Sequence, residues 1–216
     1  NAAAGIVVTA SHNPKEYNGY KVYGEDGGQL PLEGSNAVLA EINNISDITK
    51  VSFIEKDEAI DKGLLQIIGK EVDDEYISRL KELSINPDLV KSIGETFKVV
   101  YTPIHGTGNK PVRRILDEIG FKNVVVIKEQ EQPDSEFSTV KSPNPEEKDS
   151  FKIAIETAKK ENVDLIIGTD PDCDRVGVVV RNANGEYVVL TGNQTGCLLM
   201  EYILSQKKAK GELPSN

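Results

Sequence analysis

Short apolar runs and helix-patterned stretches alternate regularly through the second half of the chain. Runs rich in β-branched residues predict strands, and apolar residues three or four positions apart predict helices. The predicted strands are 97–101, 124–127, 163–167, 176–180 and 187–190, and the predicted helices are 110–119, 149–162 and 191–208. This order indicates an α/β domain whose sheet is mostly parallel. The polar stretch 130–148 is predicted as a long loop.

The first half of the chain has a less regular pattern. It predicts strands at 5–10, 18–23 and 64–68 and helices at 32–43 and 73–83. We interpret the run 5–10 as a buried parallel strand, which needs a neighbour on each side. Since no upstream segment supplies one, we expect this domain to be incomplete. The predicted fold class is α/β, with two mixed, mostly parallel sheets flanked by helices.

Proline and glycine residues between 84 and 94 indicate a domain boundary. We therefore predict an incomplete first domain at residues 1–90 and a second domain at 95–190. Residues 191–216 are predicted to begin a third domain.

The charge balance is acidic, with 35 Asp and Glu against 25 Lys and Arg and a net charge of −10. This excess argues against nucleic acid or an anionic membrane as a general partner. Cys173 and Cys197 do not form a disulfide framework, so we expect a reducing, cytoplasmic setting. No apolar run approaches the roughly 20 residues that span a bilayer.

The stretch Asp170-Pro171-Asp172-Cys173-Asp174-Arg175 lies between two apolar runs and carries three alternating carboxylates. On an extended backbone this alternation would point all three the same way. Their repulsion would be offset by a hard divalent cation, with Mg²⁺ the usual choice near phosphate. A solvated acidic turn is the plain alternative.

Two other motifs can be compared with this acidic loop. An EF-hand needs Gly at its sixth position and Glu at its twelfth, where this chain has Arg175 and Arg181, so that interpretation fails. The segment 172–176 also resembles the nucleophile loop of haloacid-dehalogenase-type phosphatases, in which an Asp accepts the phosphoryl group. That alternative stays open, although it leaves Asp170 unexplained.

Three further groups of residues are candidates for chemistry. Ser11 follows a predicted strand, where ligand-binding groups of α/β sheets usually lie. His12 cannot be taken as its base from adjacency alone, because neighbouring side chains of an extended segment point to opposite faces. An Asn-Pro turn without function is the alternative for this loop.

His105-Gly106-Thr107-Gly108 could either cradle a phosphate or only make a tight turn before a helix. Lys21 lies inside a predicted strand.

The segments Thr9-Ala10-Ser11-His12-Asn13-Pro14 and Asp170-Pro171-Asp172-Cys173-Asp174-Arg175, in this order, resemble the α-D-phosphohexomutase family of phosphoglucomutases and phosphomannomutases. Residues 15–23 continue the first motif, and residues 102–108 fit the second domain of the longer bacterial members.

The resemblance implies that Ser11 carries the catalytic phosphoryl group. It implies that Asp170, Asp172 and Asp174 bind Mg²⁺, with a phosphoserine oxygen of Ser11 as a further ligand. The remaining implied site residues are Lys21 as general acid/base, His12 beside the phosphoserine, and Asn13, Arg175 and His105 as phosphate-binding residues. The implied reaction interconverts hexose 1-phosphate and hexose 6-phosphate through a hexose 1,6-bisphosphate, with glucose favoured and mannose possible.

The chain departs from the family in two motifs. The sugar-reading Gly-Glu-x-Ser-Gly loop and the phosphate-clamping Arg-x-Ser-Gly-Thr loop do not occur in it. We therefore expect a fragment that lacks part of domain 1 and domains 3 and 4, and that is inactive alone. The alternatives are an aspartyl-phosphate phosphatase and a non-catalytic sugar-phosphate-binding module.

Overall fold

The computed structural model describes residues 2–213, which separate into two compact units. The first unit comprises the residues up to Thr9 together with Gly19–Val72, and the second comprises Ala10–Asn18 and the chain from Asp73 onward. Residue 1 and residues 214–216, at the outer ends of the first and third predicted domains, lie outside the described residues.

The first unit contains a strand pair and two helices. β1 (Gly5–Thr9) and β2 (Gly19–Tyr23) pair antiparallel, and α1 (Leu32–Asn43) and α2 (Lys56–Asp61) follow. The helix predicted at 32–43 is confirmed, whereas α2 was not predicted.

Two strand predictions in the first unit are wrong. β1 is neither parallel nor buried: it pairs antiparallel, and Ile6 and Val8 are 67% and 71% exposed. The apolar run 64–68 forms no strand, and most of its side chains are exposed. An apolar run becomes a buried strand only where a neighbouring strand supplies ladder hydrogen bonds and packing. In the described part of this unit, the sheet has two strands.

The second unit is built on a five-stranded mixed sheet. Its strands are β3 (Lys98–Thr102), β4 (Asn123–Val126), β5 (Leu165–Thr169), β6 (Val176–Arg181) and β7 (Tyr187–Val189). The order is β4-β3-β5-β6-β7, with β4, β3 and β5 parallel and β6 and β7 antiparallel to their neighbours. All five predicted strands of this unit and its mixed character are confirmed.

Helices flank this sheet: α3 (Lys70–Glu82), α4 (Pro87–Ile93), α5 (Asn109–Ile119), α6 (Lys152–Glu161) and α7 (Gly192–Ala209). α4 was not predicted, although Pro87 occupies its first turn, where proline is favoured. α4 packs on α5, and an Arg114–Asp74 ion pair joins α5 to α3. The division into compact units falls before Asp73, and the domain boundary at 90–95 stays a prediction. α7 groups with the second unit, and the three-domain division stays a prediction.

The core of the second unit packs closely on β5 and β6. Phe151 is fully buried beside apolar residues of β3, β5, β6 and α6. A Cβ atom at Gly168 or Gly177 would lie 2.6 or 2.8 Å from the Phe151 ring, so only glycine fits at these positions of β5 and β6.

Among residues 2–213, each helix is too short or too polar to cross a bilayer.

Candidate functional site

The acidic loop begins at the carboxyl end of β5 and is folded as a turn. The backbone N–H of Cys173 donates to the carbonyl of Asp170 at 3.0 Å, and Cys173 has a positive φ of 60°. The loop is therefore not extended, as the alternation argument assumed. The turn nevertheless brings carboxylate oxygens of Asp170, Asp172 and Asp174 within 4.8 Å of one another.

Asp170 is the buried member of this group, and Asp174 is exposed. Burial raises the pKa of the Asp170 carboxyl to about 6, and its contact with Asp172 acts in the same direction. The backbone N–H of Arg175 donates to Asp170 Oδ1 at 3.0 Å and opposes this rise. Three hard oxygen donors in one turn fit a divalent cation such as Mg²⁺, whose charge would offset their repulsion.

The Ser11 loop meets this acidic turn inside the second unit. Ser11 Oγ donates to Asp170 Oδ2 at 3.2 Å, although the two residues are far apart in sequence. His12 Nδ1 lies 3.3 Å from Ser11 Oγ. This contact between neighbouring side chains is possible because Ser11 has a φ of 54°, so the segment is not extended there. The structure therefore brings Ser11, His12 and Asp170 together.

The other predicted site residues have different positions. Asn13 is exposed, and both its backbone N–H and its side-chain amide donate to the carbonyl of Ala10, so it closes the Ser11 loop. Arg175 is exposed and holds Asp170 through its backbone. Lys21 is half-buried in β2 of the first unit, opposite Val7. The catalytic or phosphate-binding roles of these three side chains stay predictions.

His105 is buried and contacts protein groups through both ring nitrogens. Nδ1 donates to the carbonyl of Gln132 at 2.8 Å, and Nε2 accepts from the Thr139 hydroxyl at 2.7 Å. Because a carbonyl oxygen can only accept a hydrogen bond, Nδ1 of His105 carries the proton in this tautomer and Nε2 is the acceptor. In this structure His105 therefore supports loop geometry, and neither ring nitrogen is directed at the Ser11–Asp170 contact.

The glycines beside His105 allow the preceding turn to approach the acidic loop. A Cβ atom at Gly106 would lie 2.6 Å from Pro171 Cα, and one at Gly108 would lie 2.8 Å from Cys173 Sγ. The backbone N–H of Thr107 donates to the carbonyl of Pro171 at 2.9 Å. Of the two interpretations left open for this motif, the described contacts favour the tight turn, whose backbone packs closely on the acidic loop.

Sequence reasoning missed the residues that hold these loops together, because 130–148 was predicted only as a polar loop. Lys15 forms an ion pair with Glu136, and Ser142 Oγ donates to the carbonyl of His12 at 3.4 Å. Asp134 accepts from Ser138 Oγ and from the backbone N–H groups of Ser138 and Glu136, which lowers its pKa to about 2. An Asp that precedes a Ser by a few residues is a sequence signal for a turn closed by the Asp side chain.

Comparison with known proteins places this site in a family. Residues 74–185 match the family model "Phosphoglucomutase/phosphomannomutase, alpha/beta/alpha domain II", and residues 1–49 match that of domain I. The phosphoglucomutase of Staphylococcus haemolyticus is 42% identical over 202 residues, which are 94% of this chain and 36% of that protein. The phosphoglucomutase of Staphylococcus aureus strain USA300 is 37% identical over 208 residues, which are 95% and 36% of the two chains.

Solved structures with the same fold support this assignment. A protein from Thermus thermophilus described as a phosphomannomutase is 25% identical, with a TM-score of 0.61 over 82% of this chain and 36% of that one. A family member from Burkholderia thailandensis, 20% identical, shows the same fold, with a TM-score of 0.59 over 94% and 38% of the two chains. The chain belongs to the phosphoglucomutase/phosphomannomutase family, and it spans about a third of the length of these relatives.

Proposed function

We propose that the chain supplies the phosphoserine loop and the Mg²⁺-binding loop of a phosphohexomutase. The observation that carries the proposal is the contact of Ser11 Oγ with Asp170 Oδ2, 3.2 Å long, at one edge of the three-carboxylate turn. A hydroxyl in that position can hold a phosphoryl group whose charge is neutralised by a cation on the carboxylates. Asp170, Asp172 and Asp174 would hold the cation, with a phosphoserine oxygen as a further ligand.

The proposed reaction transfers the phosphoryl group between Ser11 Oγ and a sugar hydroxyl. The Oγ–P bond breaks as the sugar O–P bond forms, and a base takes the hydroxyl proton. We assign removal of this proton to Lys21. The released Ser11 Oγ takes up a proton in turn, and the proposed donor is His12, whose Nδ1 lies 3.3 Å from it. A Mg²⁺ ion held by these three aspartates would supply charge neutralisation at the transferred group. Asn13 and Arg175 are the proposed phosphate-binding residues.

The substrate class follows from the relatives' names. Glucose phosphates are favoured, because the curated relatives described above are named phosphoglucomutases, and mannose phosphates are the second choice. A hexose 1,6-bisphosphate is the proposed intermediate and activator. Since these relatives are about three times longer than the match, we propose that turnover needs further parts of a longer chain: the rest of domain 1 and domains 3 and 4.

Phosphoryl transfer onto Ser11 tests the proposal directly. We expect phosphopeptide mapping to find phosphoserine at Ser11 after incubation with glucose 1,6-bisphosphate and Mg²⁺. Ser11→Ala should remove the signal, whereas Ser92→Ala, which changes an exposed serine of α4, should retain it. An acid-labile phosphate on Asp172 instead would identify the phosphatase alternative. No covalent phosphate on any residue would favour the binding module.

A further inference from the structure

A buried polar network surrounds His105 and is independent of the three carboxylates. Gln130 is fully buried; its side chain accepts from Thr102 Oγ1 at 2.6 Å and donates to Thr139 Oγ1 at 3.2 Å. The backbone carbonyl of Gln130 accepts a hydrogen bond from the backbone N–H of His105 at 2.8 Å. The Thr139 hydroxyl then donates to His105 Nε2, and His105 Nδ1 donates to Gln132. Each donor in this set has an acceptor, which is the arrangement that a buried network needs.

One side of the network supports the acidic loop. His105 and Ile104 both have positive φ values, 62° and 45°, and the network holds this strained turn in place. Thr107, two residues on, donates its backbone N–H and its hydroxyl to the carbonyl of Pro171, at 2.9 and 3.1 Å. Gly106 packs against the backbone of Asp170 and Pro171.

The other side of the network supports the Ser11 loop. The segment 132–142, which we term the bridging loop, is fixed at Gln132 and Thr139 by His105. It contacts the Ser11 loop through the Glu136–Lys15 ion pair and through Ser142 and the carbonyl of His12. The hydrogen bonds to Asp134 shape the turn that presents Glu136.

We propose that His105 is a positioning residue that sets Ser11 against Asp170 by joining the bridging loop to the turn under the acidic loop. The expected effect of His105 on phosphoryl transfer rests on the proposed function, whereas its role in positioning the loops does not. A misplacement of about 1 Å at a reacting centre can cost on the order of a hundredfold in rate. A residue that touches neither Ser11 nor the carboxylates therefore has a large effect on phosphoryl transfer.

Hydrogen exchange tests the structural part without any activity. His105→Ala should speed amide exchange in residues 10–18 and 132–142, while β3 and β5 stay protected. His105→Gln, whose amide can both donate to the Gln132 carbonyl and accept from Thr139, should restore much of the protection. The matched control is Tyr187→Phe, which removes the hydrogen bond from Tyr187 to the Val163 carbonyl, 2.6 Å long, away from the loops.

The same variants test the catalytic part through the rate of Ser11 phosphorylation by glucose 1,6-bisphosphate. His105→Ala should lower the rate at least about tenfold at saturating bisphosphate, with His105→Gln between it and the parent. Lys15→Glu and Glu136→Lys should each lower it about threefold, and the double exchange should recover most of the loss.

Unchanged exchange in residues 10–18 of His105→Ala would overturn the proposal, as would a rate loss matched by Tyr187→Phe. If the parent protein itself gains no phosphate, the proposed function fails, and the exchange experiment still decides the structural role of His105.

Discussion

Individual residues at the site adopt backbone conformations that L-residues rarely take. Six non-glycine residues with positive φ occur in the described part of the chain, and five of them lie in loops at or beside the site: Ser11, Ile104, His105, Phe137 and Cys173. Such conformations cost about 1–3 kcal/mol each and persist only where surrounding contacts hold them. Here they turn Ser11 towards Asp170, fold the acidic loop, and shape the turn that supports it.

The pKa of Asp170 predicts how stability depends on pH when no divalent cation is bound. The folded-state value of about 6 lies above the ordinary value of 3.8, so between these limits the folded protein binds more protons than the unfolded chain. The contribution of Asp170 to stability should therefore fall by about 2–3 kcal/mol as the pH rises from 4 to 6, and level off above this window. Urea unfolding in EDTA across this range measures the effect.

Asp170→Asn should remove this pH dependence and stabilise the protein at pH 7 in EDTA. The amide keeps the side-chain shape, can still accept from the Arg175 N–H, and introduces no buried charge. Asp164→Asn, at the opposite end of β5, removes only an ion pair with Arg181 and should give no such gain. The explanation is incorrect if Asp170→Asn unfolds more easily than the parent protein under these conditions.

Removing one carboxylate should weaken Mg²⁺ binding. Asp172→Asn takes one of the three clustered carboxylates and its negative charge out of the turn, so we expect the affinity to fall at least about tenfold. Isothermal titration with MgCl₂ measures it, with Asp164→Asn as the charge-matched control. Equal heats for the parent protein and Asp172→Asn would show that the turn does not bind the cation.

At the level of structural elements, the two turns that follow β3 and β5 are packed backbone to backbone. Because β3 and β5 are parallel neighbours, their carboxyl ends lie at the same edge of the sheet. A glycine in the first turn lets the second approach, and a side chain at Gly106 would meet three backbone atoms at 2.6 to 2.9 Å. The acidic loop thus takes its position partly from the neighbouring turn.

Gly106→Ala should therefore displace the acidic loop, with a stability loss of about 1–3 kcal/mol from overpacking and weaker Mg²⁺ binding. Chemical denaturation and isothermal titration measure the two effects. The control is Gly196→Ala in α7, where nothing lies within 4 Å of the added atom and alanine favours the helix. A Gly106→Ala protein that binds Mg²⁺ as the parent does would show that this turn does not position the loop.

The sequence predicted strands and helices best where turn-forming residues lie at both ends of a strong hydrophobic pattern. The strands of the second unit and the helices around 110–119 and 191–208 were located to within a few residues. The strand predicted at 64–68 failed because apolar composition does not show whether a pairing strand is available. The positive φ of Ser11 and Cys173 could not be predicted either, since these residues usually occupy other backbone conformations and long-range contacts decide the outcome.

The candidate site was predicted in its residues but not in its connections. The motifs identified Ser11, His12 and the three aspartates, which the structure brings together. The motifs did not indicate the bridging loop, because its role depends on contacts such as Glu136 with Lys15, between segments distant in sequence. His105 was predicted to bind phosphate, whereas its ring nitrogens contact Gln132 and Thr139.

At the scale of the whole molecule, the Ser11 loop groups with the second unit, while the strands that flank it belong to the first. The chain thus carries Ser11, the proposed phosphoryl acceptor, and the acidic loop within one compact unit. It matches about 36% of the length of the phosphoglucomutases that resemble it. The proposed transfer of a phosphoryl group to Ser11, which we term the half-step, and complete turnover of the substrate therefore place different requirements on this chain.

We predict that the chain of residues 1–216 does not turn over glucose 1-phosphate at a rate near that of a full-length relative. Turnover requires the substrate to be held at both ends and the bisphosphate to be bound again in the opposite orientation. Contacts with remote substrate groups drive the reacting centre into place, and positioning contributes about 7–11 kcal/mol. The sugar-reading and phosphate-clamping motifs that would supply these contacts are absent from the sequence.

A coupled assay with glucose 1-phosphate, glucose 1,6-bisphosphate and Mg²⁺ measures this, with the Staphylococcus haemolyticus phosphoglucomutase as the reference. We expect phosphoserine at Ser11 in the same sample, since the half-step uses groups that this chain contains, together with a turnover at least about a hundredfold lower because remote positioning is lost. Turnover within tenfold of the reference would mean that residues 1–216 hold both ends of the substrate by contacts other than those motifs. Absence of both signals would instead contradict the proposed phosphoryl transfer to Ser11 and favour the non-catalytic binding module.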